Sequence, residues 1–244
     1  MIMAGQTADR PTSAGRTEQV RRGIVSFVRR GGRITVAQRR NLDRYRHRWV
    51  VDATLPAAEP LDPAAVFGRE APLIVEIGPG MGESLVPMAA ARPEANVLAF
   101  EVYEPAVGSI LGKIAEAGIE NLRVVEGDAA AAFEQLIPAE SIDRLWTFFP
   151  DPWPKKKHHK RRLVSRSFAD LVATRMKRHG IWRLATDWED YAGQMREVLD
   201  DHPRFVNEYR EGWAPRWEQR PMTRFEERGI AAGRHIFDLA YRRR

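Results

Sequence analysis

The chain has 244 residues, 43% of them hydrophobic, with no cysteine and a formal net charge of +6. That length suits one domain with a sizeable core plus an arm; the lack of cysteine excludes disulfides, thiolate metal sites and a cysteine nucleophile, and no run approaches the ~20 apolar residues of a membrane helix. Residues 1–50 carry +9, residues 155–166 carry +7 and the remainder −10, so an acidic body bears two basic segments, which points to a polyanionic partner or, for the first segment alone, to a solvated arm.

Residues 1–17 are rich in Thr, Ser, Gly and Pro and are expected to be disordered. They hold no apolar signal-peptide core, which makes the cytoplasm the expected location. A short apolar patch from Val20 to Val28 ends at Gly31-Gly32, and AQRRNLDRYRHRWVV then reads as a helix with Leu42, Tyr45 and Trp49 on one face. Residues 52–63 read as a proline-rich connector. From there apolar runs and amphipathic stretches alternate. Strands are expected at 73–77, 96–102, 121–125, 141–149 and 181–187. Helices are expected at 83–91, at 105–117 with a stop at Gly118, after Gly127-Asp128, at 164–177 closed by His179-Gly180, and from Trp188 to Leu199. FVNEY (205–209) and HIFDLAYR (235–242) can close the sheet as an antiparallel pair. The result is a doubly wound, mostly parallel α/β sheet of about seven strands with an antiparallel closing strand, and a basic arm before it. A ligand belongs at the carboxyl ends of its strands.

The motifs sit at those ends. In VEIGPGMG the glycines at 78, 80 and 82 follow a strand and open a helix. This is G-x-G-x-G, not the G-x-G-x-x-G of a dinucleotide site, and Pro79 removes one amide donor from the loop. Glu76 would repel a pyrophosphate but suits a cation such as the amino group of S-adenosylmethionine. Glu101 ends the next strand, where an acid typically accepts both ribose hydroxyls. Asp128 ends the third and can accept from an adenine amino group, cap the following helix, or do both. Any one of these has an ordinary structural explanation, as a turn, a strand-end acid or a cap. Jointly they match the donor site of an adenosylmethionine-dependent methyltransferase. The fourth strand ends in FFPDPW, where prolines stiffen a turn and the Trp153 ring can stack on a base. KKKHHKRR follows at once, either a solvated charge run or a phosphate contact at the mouth of the site. His158 and His159 are poor metal ligands beside so many cations.

FFPDPWPKKKHHKRRLV, VEIGPGMGESL, ATDWEDYA and RPMTRFEERG together resemble the bacterial tRNA (guanine-N7-)-methyltransferase family, from about Ser26 to the C-terminus. The resemblance implies a Rossmann-like domain at 64–244, an N-terminal helical segment and connector at 26–63, and a flexible basic arm at 1–25. It implies methyl transfer from S-adenosyl-L-methionine to N7 of a guanine in tRNA, the family's target being the variable-loop guanine at position 46. On matching positions, Glu76, Gly78, Glu101, Asp128 and Asp151 are expected to bind the methyl donor, with Asp151 also the catalytic residue. Lys155, Asp187, Thr223, Arg224, Phe225 and Glu226 fall where relatives contact the substrate tRNA, and Lys157, His158, His159, Lys160, Arg161 and Arg162 fall on the family's RNA-interacting loop. By residue type alone, Asp187 could cap the helix from Trp188 and residues 223–226 could form a plain turn. No metal or membrane is implied, and monomer and homodimer both stay open. The alternatives are another base methyltransferase, a non-catalytic RNA-binding protein on the same fold and, least well supported by the glycine spacing, a nicotinamide oxidoreductase.

Overall fold

The computed structural model describes residues 33–53, 59–210 and 212–244; the arm at 1–25 and the patch at Val20–Val28 lie outside the described residues. Thr35 starts the first helix, α1 (Val36–Trp49), through a capping box with Gln38, and Leu42 and Trp49 are buried as their spacing predicts. Two residues, Val50–Val51, then form an edge strand β1, which sequence reading placed inside the helical stretch. After α2 (Pro63–Phe67), LIVEI becomes β2 (Leu73–Ile77), buried at every position. A strand covered on both faces needs a near-continuous apolar run, interrupted here by Glu76 alone.

The alternation continues through α3 (Leu85–Ala90), β3 (Asn96–Glu101), α4 (Glu104–Ala117), β4 (Leu122–Glu126), α5 (Ala129–Leu136) and β5 (Ile142–Phe148). Pro87 falls at the third position of α3, where no intrahelical donor is required. Gly118 ends α4 in the left-handed conformation at φ 64°. A 3₁₀ helix (Lys156–Arg161), α6 (Arg166–Arg175), β6 (Met176–Thr186), α7 (Glu189–Asp200), β7 (Phe205–Asn207), α8 (Arg224–Ala231) and β8 (Phe237–Arg243) complete the chain. His179-Gly180 closes no helix. It forms an irregularity inside β6, where a Cβ on Gly180 would lie 3.1 Å from the carbonyl oxygens of Ile142 and Asp143, so the neighbouring strand selects glycine.

The sheet order is β1-β4-β3-β2-β5-β6-β8-β7, eight strands against about seven expected. Strands β1 to β6 pair in parallel; β8 runs antiparallel to β6 and to β7. One face packs on α5, α6 and α7 around Phe133, Phe168 and Trp182. The other packs on α1, α3 and α4 around Leu85, Ile110 and Trp146. Chain order reverses between β2 and β5, so a crevice opens above the carboxyl ends of those two strands. Among the described residues no helix is long and apolar enough to cross a membrane.

Candidate active site

A cavity of about 440 Å³ lies in that crevice. Glu76, Glu101, Asp128 and Asp151 line it from the ends of β2, β3, β4 and β5, together with Gly78 and, from the first turn of α8, Thr223, Arg224 and Phe225.

The glycine loop after β2 makes the donor side. Gly78, Gly80 and Gly82 all have positive φ. At Gly82 an added Cβ would also lie 2.8 Å from Ile110 of α4, so space and conformation both demand glycine. Glu101 braces the loop: one oxygen accepts the Gly80 amide at 3.0 Å, the other those of Val102 and Tyr103 at 2.8 and 2.9 Å. Glu76 is buried, and its Oε2 has no hydrogen-bond partner among the described residues. Burial, with the Glu101 carboxylate adding to it, pushes Glu76 up to about 8. A buried acceptor without a partner fits a ligand ammonium, which would restore its charge; the donor set therefore fits S-adenosyl-L-methionine. Asp128 caps α5 by accepting from Ala130 at 3.0 Å, and burial raises its pKa despite that bond. The cap uses one oxygen and leaves the second for a ligand.

Asp151 stands on a strained loop. Phe149 and Trp153 adopt positive φ of 52° and 45°, unusual for bulky side chains. The Phe149 amide is tied to Ala185 of β6, and the Pro152 carbonyl accepts from Arg162 Nε at 2.8 Å. Arg162, expected on the RNA-interacting loop, has a side chain that is 1% exposed and engaged with Gln194 and Asp190 of α7, so it anchors the loop. Trp153 is likewise not a free stacking surface: it is buried, with Arg161 3.8 Å above the ring and His158 against its edge. Partial burial and the flanking Lys157, Arg161, Lys155 and Lys160 lower the His158 pKa. His159 faces Asp190 at 3.6 Å. Lys155, Lys156, Lys157 and Lys160 are exposed beside the cavity but do not line it.

Residues 223–226 are not a turn but the start of α8. Thr223 caps it by accepting from the Glu226 amide, and Arg224 reaches Glu83 at 3.4 Å. Phe225, 61% exposed, presents the accessible aromatic face of the cavity. Glu226, expected among the substrate contacts, does not line the cavity. It is fully buried and binds Arg216 and Arg220, while Arg220 also pairs bidentately with Asp238 of β8. Burial opposes ionisation of Glu226, but its two arginine partners outweigh it and hold the pKa low. Asp187 caps nothing either: Trp188 donates to Thr186, and Asp187 pairs with Arg234 at 3.1 Å and packs on Gly229 of α8. Arg220→Met should leave Asp238 buried without its partner and Glu226 with Arg216 alone, and destabilise the fold by about 3–5 kcal/mol. Chemical denaturation measures this; a destabilisation under about 1 kcal/mol contradicts the assignment.

Sequence reading missed the Arg216–Glu226–Arg220–Asp238 network, Glu83 and Arg228. The spacing of Arg224 and Arg228, four apart, is the one available signal for the last.

Residues 70–239 match the Methyltransf_4 family model, described as "Putative methyltransferase". A tRNA (guanine-N(7)-)-methyltransferase of Cutibacterium acnes is 47% identical over 235 residues, 93% of this chain and 85% of that protein. One of Nocardioides sp. is 50% identical over 223 residues, covering 91% and 88%, and one of Bordetella pertussis 46% over 233 residues, covering 96% and 88%. Among solved structures, an antibiotic-related methyltransferase superposes with a TM-score of 0.50 at 17% identity, over 75% of this chain and 96% of that one. That likeness is one of fold.

Proposed function

We propose, from the premise that the chain belongs to the tRNA (guanine-N(7)-)-methyltransferase family, that it methylates N7 of a guanine in tRNA, the variable-loop guanine at position 46, with S-adenosyl-L-methionine as donor. The observation that carries the reading is the convergence of four carboxylates, from four parallel strand ends, on one cavity.

When bound, S-adenosyl-L-methionine supplies an electrophilic methyl group on a sulfonium. Glu76 pairs with its ammonium, Glu101 accepts from the ribose hydroxyls and Asp128 from the adenine amino group. Guanine N7 carries a lone pair and no proton, so its attack needs no general base. The protein's main task is alignment, for which positioning supplies up to ~7–11 kcal/mol. Phe225 and Thr223 form the wall against which the base rests. As N7 gains a bond the purine becomes positive, and the fixed carboxylate of Asp151 offsets that charge. Glu101 ties the glycine loop to the end of β3 through the Gly80 amide and is itself held by the Val102 and Tyr103 amides, so donor-side geometry is set before either substrate arrives.

The exposed lysines after Asp151 bind tRNA phosphates. Replacing Lys155, Lys156, Lys157 and Lys160 together by alanine is expected to flatten the log–log salt dependence of tRNA binding by about 0.7–0.9 for each phosphate no longer neutralised. An unchanged slope returns the run to a solvated surface.

The reaction itself is tested by incubating labelled donor with unmodified tRNA transcript and separating the digested nucleosides. Label is expected in N7-methylguanosine. Label in an exocyclic-amine product supports another base methyltransferase, and no transfer supports a non-catalytic RNA-binding protein.

A further inference from the structure

Among the described residues, the cavity is lined by five carboxylates, Asp151 among them, and by two guanidinium groups, Arg224 and Arg228. Such a lining suits a cationic donor and opposes an RNA strand, whose every nucleotide brings a phosphate. A guanosine whose N7 reaches this depth must leave its stack and carries its flanking phosphodiesters to the rim. The two arginines stand four residues apart on α8, hence on one face of the helix. Arg224 is engaged with Glu83. The Arg228 side chain makes no hydrogen bond or ion pair with any described residue, and it is exposed. Its helix is fixed at the first turn by the Thr223 cap and from beneath by Glu226 on Arg216 and Arg220, so the guanidinium projects from a rigid base.

We infer that Arg228 binds the phosphodiester adjoining the target guanosine, as a phosphate subsite of the substrate side of the cavity. This rests on the tRNA methyltransferase reading above. A guanidinium presents two parallel N–H groups to phosphate and stays charged at any working pH. Fixed at the rim, it draws the backbone away from the carboxylates while the base enters. It differs from the lysine run, which does not line the cavity and meets more distant phosphates.

The test uses the full chain and unmodified tRNA transcript. Arg228→Gln should raise KM for tRNA about tenfold near 0.15 M salt and make the log–log salt slope of tRNA binding shallower by about 0.7–0.9. Donor affinity and kcat at saturating tRNA should stay within about threefold of wild type. Arg228→Lys should recover the slope with only part of the affinity. Arg178→Gln, an exposed arginine in β6 away from the strand tips, should change none of these. An Arg228→Gln protein with wild-type KM and slope, or with a lower kcat and an unaltered slope, overturns the inference while N7-methylguanosine still forms. If the wild-type protein forms none, the underlying reading fails instead.

Discussion

Asp151→Ala should retain the fold and lose methyl transfer, with kcat at saturating donor down by roughly 10²–10³. The residue is half-buried at the cavity wall. Its loop is held by backbone bonds of its neighbours: the Phe149 amide to Ala185 and the Pro152 carbonyl to the buried Arg162. Truncation therefore removes a charge and leaves both of those bonds in place. Asp151→Asn separates charge from shape. If the carboxylate acts on the positive charge growing in the purine, the amide falls nearly as far as alanine. A thermal midpoint within about 2 °C of wild type, with kcat measured at saturating donor and tRNA, checks both variants. Turnover within about tenfold of wild type in Asp151→Ala contradicts the role.

Glu76→Gln should weaken donor binding by about 10²–10³-fold, the scale of breaking a buried ion pair. It should also change how the ligand-free protein responds to pH. Glu76 is pushed from 4.5 to about 8 in the fold, by burial first and then by Glu101. An acid with a raised folded pKa stabilises the fold while protonated. Its contribution is complete below pH 4.5 and is lost as pH climbs through about 8. Ligand-free wild type should therefore lose several kcal/mol between about pH 5 and 9, and Glu76→Gln should flatten that part of the curve. An ammonium beside Glu76 favours its charged form, so donor binding at pH 7 should expel close to one proton. Titration calorimetry in two buffers of different ionisation enthalpy reads this directly. Equal proton release in wild type and variant contradicts the pairing.

Sheet and donor side were legible because they follow from local pattern. LIVEI is an apolar run between Pro72 and Gly78, and it became a strand over those same residues. Glu76, Glu101, Asp128 and Asp151 were found because each ends a strand in a topology that brings strand ends together. The substrate side was less legible. Glu226 and Arg162 read as surface charges, since charged side chains are almost never buried unless paired. Their partners lie far away or in unremarkable sequence: Asp190 and Gln194 for Arg162, Arg216 and Arg220 for Glu226. Trp153 looked like the stacking ring because its loop resembles a base-binding turn, yet the basic run folds back over it and leaves the exposed aromatic face to Phe225. β1 has two residues, too short for any periodicity to show.

Borohydride reduction followed by aniline cleaves RNA at N7-methylguanosine, so it tests the modified atom and its position together. Unmodified tRNA transcript treated with wild-type protein and donor should break at one variable-loop guanine, position 46, and transcript treated with Asp151→Ala should stay intact. Methyl-labelled tRNA that resists cleavage would contradict the account.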